Sequence, residues 1–176
     1  MIKNKNDYIE YVKADRMALN NPNWKSIVWR YLKTMRKAEF YTNCRGGGWI
    51  AKLYRFKLKL LSEKSGICIP INTFGKGLGL FHYGTIIVNA TAKFGDYCVI
   101  QTCTVISKNV SGGDYVYIAP GVKINDNIQI GNNIILGQNA VVTKNITEDG
   151  TTWAGIPAKK ISNKGFYDDD KYQHKK

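Results

Sequence analysis

The chain has 176 residues, a hydrophobic fraction of 44% and a formal net charge of +13, from 26 Lys and Arg against 13 Asp and Glu. That length suits one domain with a continuous core, and the longest apolar runs, such as Thr85-Ile86-Ile87-Val88, are far too short to span a bilayer. Met1 to Asp7 lacks the apolar stretch of a secretion signal, and the basic residues are spread out with no nucleic-acid motif, so neither a secreted nor a DNA- or RNA-binding protein is expected.

Residues 1–66 read as a helical region. Asn6-Asp7 is placed to cap a first helix carrying Tyr8, Tyr11 and Val12. Asn21-Pro22 is a second start signal, because proline suits the first helical position; Trp24, Ile27, Val28, Tyr31, Leu32 and Met35 then share one face. Gly46 to Gly48 break that helix. Trp49 to Ser65 is amphipathic again: at about 100° per residue Lys52, Arg55, Lys59 and Glu63 gather on one face, and apolar residues from Trp49 to Leu61 cover the rest. Such a helix is expected to pack on the following domain with its basic face in water; peripheral contact with an anionic membrane surface is the alternative.

A loose solenoid begins near Ile67-Cys68-Ile69, and from Ala92 to Asn145 the chain has a period of six. Every sixth residue is apolar (Phe94, Ile100, Ile106, Ile118, Ile124, Ile130, Leu136, Val142), with one lapse at Gly112. Two positions earlier stands a small or β-branched residue, from Ala92 and Cys98 to Ile134 and Ala140; just after each comes Gly, Ala or a polar residue, as at Gly95, Ala119 and Gly137. Six fits neither a helix (about 3.6) nor a simple strand (about 2). It fits short strands joined by tight turns, three to a coil, with Gly and Asn supplying positive φ at the turns. The fold expected is mainly β: a left-handed parallel β-helix over 67–161, a helical region before it and a polar tail, 162–176, after it.

Such a rod encloses no cleft, so chemistry belongs on an outer face, in an excursion loop or between subunits. Phe74-Gly75 and Phe94-Gly95 are equivalent pairs lying twenty residues apart, two more than three hexads allow. A slip therefore falls between them, and His82 lies in that stretch, the one histidine besides His174 in the tail. An imidazole is suited to general base work near neutral pH. Two histidines and no cluster argue against a metal site, and no serine or cysteine sits in an elbow motif. Gly75-Lys76-Gly77-Leu78-Gly79 lacks the last glycine of a dinucleotide fingerprint and reads as a turn. Cys44, Cys68, Cys98 and Cys103 have no CxxC spacing, which suits a reduced, cytoplasmic setting.

Together these hexads resemble the left-handed β-helix acyltransferases of the hexapeptide-repeat superfamily. Gly77 to Asn89, including Leu80-Phe81-His82-Tyr83-Gly84-Thr85, is similar to the catalytic coil of the serine acetyltransferase branch, and Ala154-Gly155-Ile156-Pro157-Ala158-Lys159 to its closing A-G-x-P-A-[KR] motif. The resemblance implies acetyl-CoA as co-substrate, no metal, and a homotrimer with active sites between subunits. His82 would be the general base; Ala119, Gly137, Lys144, Gly155, Pro157 and Lys159 would contact the cofactor. Serine acetyltransferases carry an Asp immediately before that histidine, where Phe81 stands, and a second His after a Gly-Gly-Asp, where Gly112-Gly113-Asp114 runs into Tyr115-Val116-Tyr117. These departures resemble relatives that acetylate a sugar hydroxyl in surface-polysaccharide assembly. The expected acceptor is accordingly a saccharide, free or lipid-linked at the inner membrane face. Serine O-acetylation and a non-catalytic β-helix scaffold are the competing readings.

Overall fold

The computed structural model describes residues 1–167; the end of the expected tail, with Asp168-Asp169-Asp170 and His174, lies outside the described residues. Three helices come first. Helix α1 (Lys5–Ala18) is capped by Asn4, whose side-chain oxygen accepts from the Asp7 amide at 2.9 Å. The cap is thus two residues before the expected Asn6-Asp7, and Asp7 sits inside the first turn, where a carboxylate meets the positive end of the helix. Helix α2 (Ile27–Cys44) starts five residues after Pro22, because Ser26 supplies the capping oxygen to the Trp29 amide at 3.3 Å. Trp24 consequently lies outside the helix and is 74% exposed, not on its buried face. Helix α3 (Trp49–Ser65) has the expected bounds and ends on Gly66, whose φ of 73° closes the last turn onto the Ser62 carbonyl.

The strands that follow are short: β1 (Ile67–Cys68), β2 (Ile86–Val88), β3 (Lys93–Phe94), β4 (Val99–Ile100), β5 (Thr104–Ile106), β6 (Ser111–Gly112), β7 (Val116–Ile118), β8 (Lys123–Ile124), β9 (Gln129–Ile130), β10 (Ile134–Leu136), β11 (Val141–Val142), β12 (Thr152–Ala154) and β13 (Lys159–Ser162). They form the three walls of a prism. The first wall has the order β1-β2-β5-β8-β11, the second β3-β6-β9, and the third β13-β12-β10-β7-β4. Pairing is parallel with an 18-residue step, as in Ile87↔Val105↔Lys123↔Val141 and Val99↔Tyr117↔Ile135. Both inward slots of the hexad fill the interior: Ile100, Ile118, Leu136, Val116, Val122, Ile134 and Ala140 are each 0% exposed. This is the left-handed β-helix expected, with a helical region before it.

Two details refine the repeat. The lapse at Gly112 is occupied from the coil below, since a methyl there would lie 2.2 Å from Cδ1 of Phe94, whose ring stacks on Phe74 at 5.0 Å. One oversized side chain serves two layers. The positive-φ position is also not the residue directly after the inward apolar one. It falls two places later, at Tyr97, Cys103, Asn109, Tyr115, Gly121, Asn127, Asn133 and Asn139. The glycine after the apolar residue answers instead to space: a Cβ on Gly95 would stand 2.8 Å from the Gly113 carbonyl carbon in the next coil.

The coil also outlasts the hexads. Trp153 and Ala154, beyond the last hexad at Asn145, belong to β12, which pairs with β10 at a 17-residue step, Ile135↔Thr152. The closing turn then leads into β13, antiparallel to β12. The described start of the tail packs rather than trailing into solvent: Phe166 is 6% exposed and its ring lies 5.4 Å from that of Tyr117 on the third wall. An aromatic residue in a polar stretch is the sequence signal for that contact.

Candidate active site

Register locates the slip. Gly79 bridges Val99, twenty residues on, whereas Ile86 pairs with Thr104, eighteen on. The two surplus residues therefore fall in 80–85, at the corner between the third and first walls, and His82 is in the middle of them. Both feet of this excursion are anchored. The Gly79 amide donates to the Cys98 carbonyl at 2.9 Å, the Gly84 amide to Ser65 at 2.8 Å and the Ile86 amide to Gly66 at 3.0 Å. Leu80 is buried in the core, Phe81 is packed half-buried against it, and His82 and Tyr83 are exposed. Gly84 adopts φ of 142° over the Thr102 side chain, a conformation open mainly to glycine. The imidazole is thus in water on a fixed backbone.

Above it the same corner repeats in every coil. Gly121 donates to the Thr102 carbonyl at 3.0 Å, Asn139 to Pro120 at 2.9 Å, Gly137 to Trp153 at 2.7 Å and Val141 to Gly155 at 3.0 Å. His82, Ala119, Gly137, Gly155 and Pro157 are thereby brought into one column along one edge of the prism. Ala119 is only 4% exposed, whereas Gly155 and Pro157 are exposed at the far end, after φ of 97° at Gly155. Lys159 pairs with Ala154 beside that end and is exposed. Lys144 is not on the column: it follows β11 and lies at the next corner, beside Asn145, whose side chain accepts from the Gln129 amide at 2.9 Å.

The approach to the excursion is held by a buried ionic cluster, which the sequence analysis did not single out. Arg36 of α2 is 0% exposed and bonds Asp15 of α1 at 2.7 Å and Glu39 at 2.9 Å. Its remaining N–H groups donate to the carbonyls of Phe74 at 3.0 Å and Gly75 at 2.5 Å. Asp15 also accepts from the Leu78 amide at 2.9 Å, and Glu39 from the Asn72 amide at 2.7 Å. Residues 72–78, which feed the His82 corner, are therefore clamped to both helices. Burial on its own would lower the Arg36 pKa, and the two carboxylates more than reverse that, holding the charge in place. The signal was present: Leu32, Met35, Arg36 and Glu39 share one helical stripe, so the two charges had to be buried and paired.

Two buried groups are withdrawn from such chemistry. Burial pushes the Cys98 thiol up to about 12, and Cys98 is 1% exposed. Burial likewise raises the Tyr31 phenol, which donates to the Ile69 carbonyl at 3.0 Å and accepts from the same residue's amide. Among the described residues no cluster of three or more His, Cys, Asp or Glu could hold a metal ion.

The architecture is a left-handed β-helix preceded by a helical region, and solved structures share this fold. A serine acetyltransferase from Brucella abortus strain S19 superposes with a TM-score of 0.75 at 21% identity, covering 91% of this chain and 71% of that one. The Neisseria gonorrhoeae serine acetyltransferase gives 0.72 at 22% identity, over 90% and 68%, and the soybean apoenzyme 0.75 at 20%, over 89% and 70%. A further Brucella abortus structure, solved in complex with coenzyme A, matches at 0.75 and 21% over 92% and 70%. No protein-family model and no curated protein matches the chain.

Proposed function

We propose that this chain is an acetyl-CoA-dependent O-acetyltransferase in which His82 is the general base. The observation that carries this reading is the two-residue excursion: the corner where the first coil gains two residues presents an exposed imidazole. At about 4.8 Å per coil, the four steps from the His82 layer to that of Pro157 span roughly 19 Å. An extended pantetheine chain can follow that edge, because Gly121, Gly137 and Gly155 put little side chain in its way. Lys159, exposed at the far end, supplies positive charge for the cofactor phosphates. In the reaction, a ring nitrogen of His82 takes the proton of an acceptor hydroxyl as that oxygen attacks the thioester carbonyl. The departing CoA thiolate then recovers the proton from the imidazolium, so the base is restored. The fold neighbours, one of them holding coenzyme A, support acetyl transfer.

A homotrimer suits the reading. The outer side of the first wall, Cys68, Ile87, Val105 and Val141 with Lys123 among them, is largely apolar, and Ile87 is 46% exposed next to the excursion. A neighbouring protomer on that wall would adjoin His82 and close the cleft that a single rod lacks.

Two acceptors are in play. The neighbours are serine acetyltransferases, which favours serine. A saccharide hydroxyl is favoured by Phe81 in place of an Asp and by the uninterrupted coil at Gly112-Gly113-Asp114. There Ser111↔Gln129 keeps the 18-residue step, and Asp114 is tied up in accepting from the Asp96 amide at 2.7 Å. The test is release of free CoA with L-serine and with a panel of sugar acceptors, using wild type and His82→Ala. Loss of about 10²–10⁴-fold in the variant is expected with the true acceptor. Turnover with serine alone removes the saccharide reading; no CoA release with any acceptor, together with no acetyl-CoA binding by calorimetry, leaves a scaffold.

A further inference from the structure

Helix α3 has two apolar faces, and only one is used inside the molecule. Ala51, Leu58, Leu61 and Ser65 are buried, the face turned to α2 and β1. On the opposite side, at spacings of four, three and four, Trp49, Leu53, Phe56 and Leu60 are 74%, 53%, 60% and 42% exposed. At about 100° per residue these four fall within a single narrow stripe, about 16 Å long. Lys52 and Lys59 run along one flank of the stripe and Lys57 and Lys64 along the other, all exposed; Arg55 lies further round, and Glu63 is the helix's one carboxylate.

We propose that this outer face of α3 docks in the plane of an anionic lipid bilayer, with Trp49, Leu53, Phe56 and Leu60 at the acyl–headgroup boundary and the lysines on the headgroups. The charge decides between occupants. A second copy seated face to face would set lysine rows against lysine rows, on chains that each carry +13. An anionic lipid surface instead neutralises both flanks at once, and lysine stems lie along apolar surface while their ammonium groups reach outward. Tryptophan at the head of the stripe has the amphipathic ring favoured at that depth. None of the helices among the described residues is long and apolar enough to cross a membrane, so the contact is peripheral. Docking does not depend on which group the enzyme acetylates.

The test is co-sedimentation of the full chain with vesicles of pure phosphatidylcholine and with vesicles containing about 30% phosphatidylglycerol. Wild type is expected to pellet with the anionic vesicles, not with the neutral ones, and to be released by about 0.5 M NaCl. Leu53→Glu/Phe56→Glu is expected to lower the bound fraction at least about tenfold with an unchanged circular dichroism spectrum. Should that variant fold poorly, Lys57→Gln/Lys64→Gln, which keeps the stripe, is expected to lower anionic-vesicle binding about tenfold. The proposal is overturned if wild type stays in solution with anionic vesicles, or if both variants pellet as wild type does. It is equally overturned if sedimentation velocity shows Leu53→Glu/Phe56→Glu dissociating an oligomer while vesicle binding persists.

Discussion

The regular coils and the first coil are built from the same slots, yet they are specified differently. From Val99 to Val142 each layer repeats its neighbour at an 18-residue step, which shortens only in the last coil, at Ile130↔Ile146 and Ile135↔Thr152, and its side chains answer to packing. In the first coil the same corner takes two extra residues, and the positions gained are exposed rather than buried. This solenoid keeps its fold in the repeat, and the proposed chemistry is assigned to the departure from it.

Removing His82 and Tyr83 together is the sharpest way to break that contrast. The first coil then regains the regular step, so the protein is expected to fold with its melting temperature little changed while acetyl transfer falls by about 10²–10⁴-fold. A large loss of helicity or stability would show the excursion to be structural. Next in size is Arg36→Ala, which strands Asp15 and Glu39 in the interior. Denaturant unfolding is expected to show a loss of about 3–5 kcal/mol, together with a higher KM or lower kcat as residues 72–78 loosen. Within the regular coils, Gly112→Ala presses a methyl into the Phe94 ring and is expected to cost about 1–3 kcal/mol; adding Phe94→Leu should return part of it. The smallest change is Thr104→Val. The Thr104 hydroxyl is buried with no hydrogen-bond partner, so valine is expected to stabilise by about 1 kcal/mol.

Alkaline pH separates the same two regions. The Cys98 thiol is held up to about 12 in the folded coil and returns to an ordinary value near 9.0 when unfolded. Between those values the unfolded chain has lost a proton that the folded one keeps, so stability falls as pH rises through that window. Urea titrations at pH 8 and at about pH 10.5 check the sign. Thiol labelling in the native state is expected at the exposed Cys103 and not at Cys98 until unfolding.

Much of this was legible beforehand because the hexad is a purely local code. Ile106, Ile118 and Ile124 each announce the inside of a wall, and the twenty-residue gap between Phe74 and Phe94 announces the slip. What was not legible depended on contacts between distant segments. For Arg36 and Glu39 the stripe shared with Leu32 and Met35 marks burial, but their partners, Asp15 and the loop carbonyls of Phe74 and Gly75, lie in distant segments. The start of α2 went to Ser26 over Pro22 because a capping hydroxyl in reach of an amide outweighs a preset φ. Lys144 and Pro157 are equally plausible cofactor contacts in sequence, and only the winding of the coil assigns them to different corners.

Stacked layers also make the edge of the prism a ruler with fixed graduations. Inserting or deleting one whole coil would lengthen or shorten the stretch between the imidazole and Pro157 by about 4.8 Å and no intermediate amount. A relative with one layer fewer could not hold the same elongated ligand in the same pose. The count of layers, more than any single side chain, would then set how long a molecule this edge can measure.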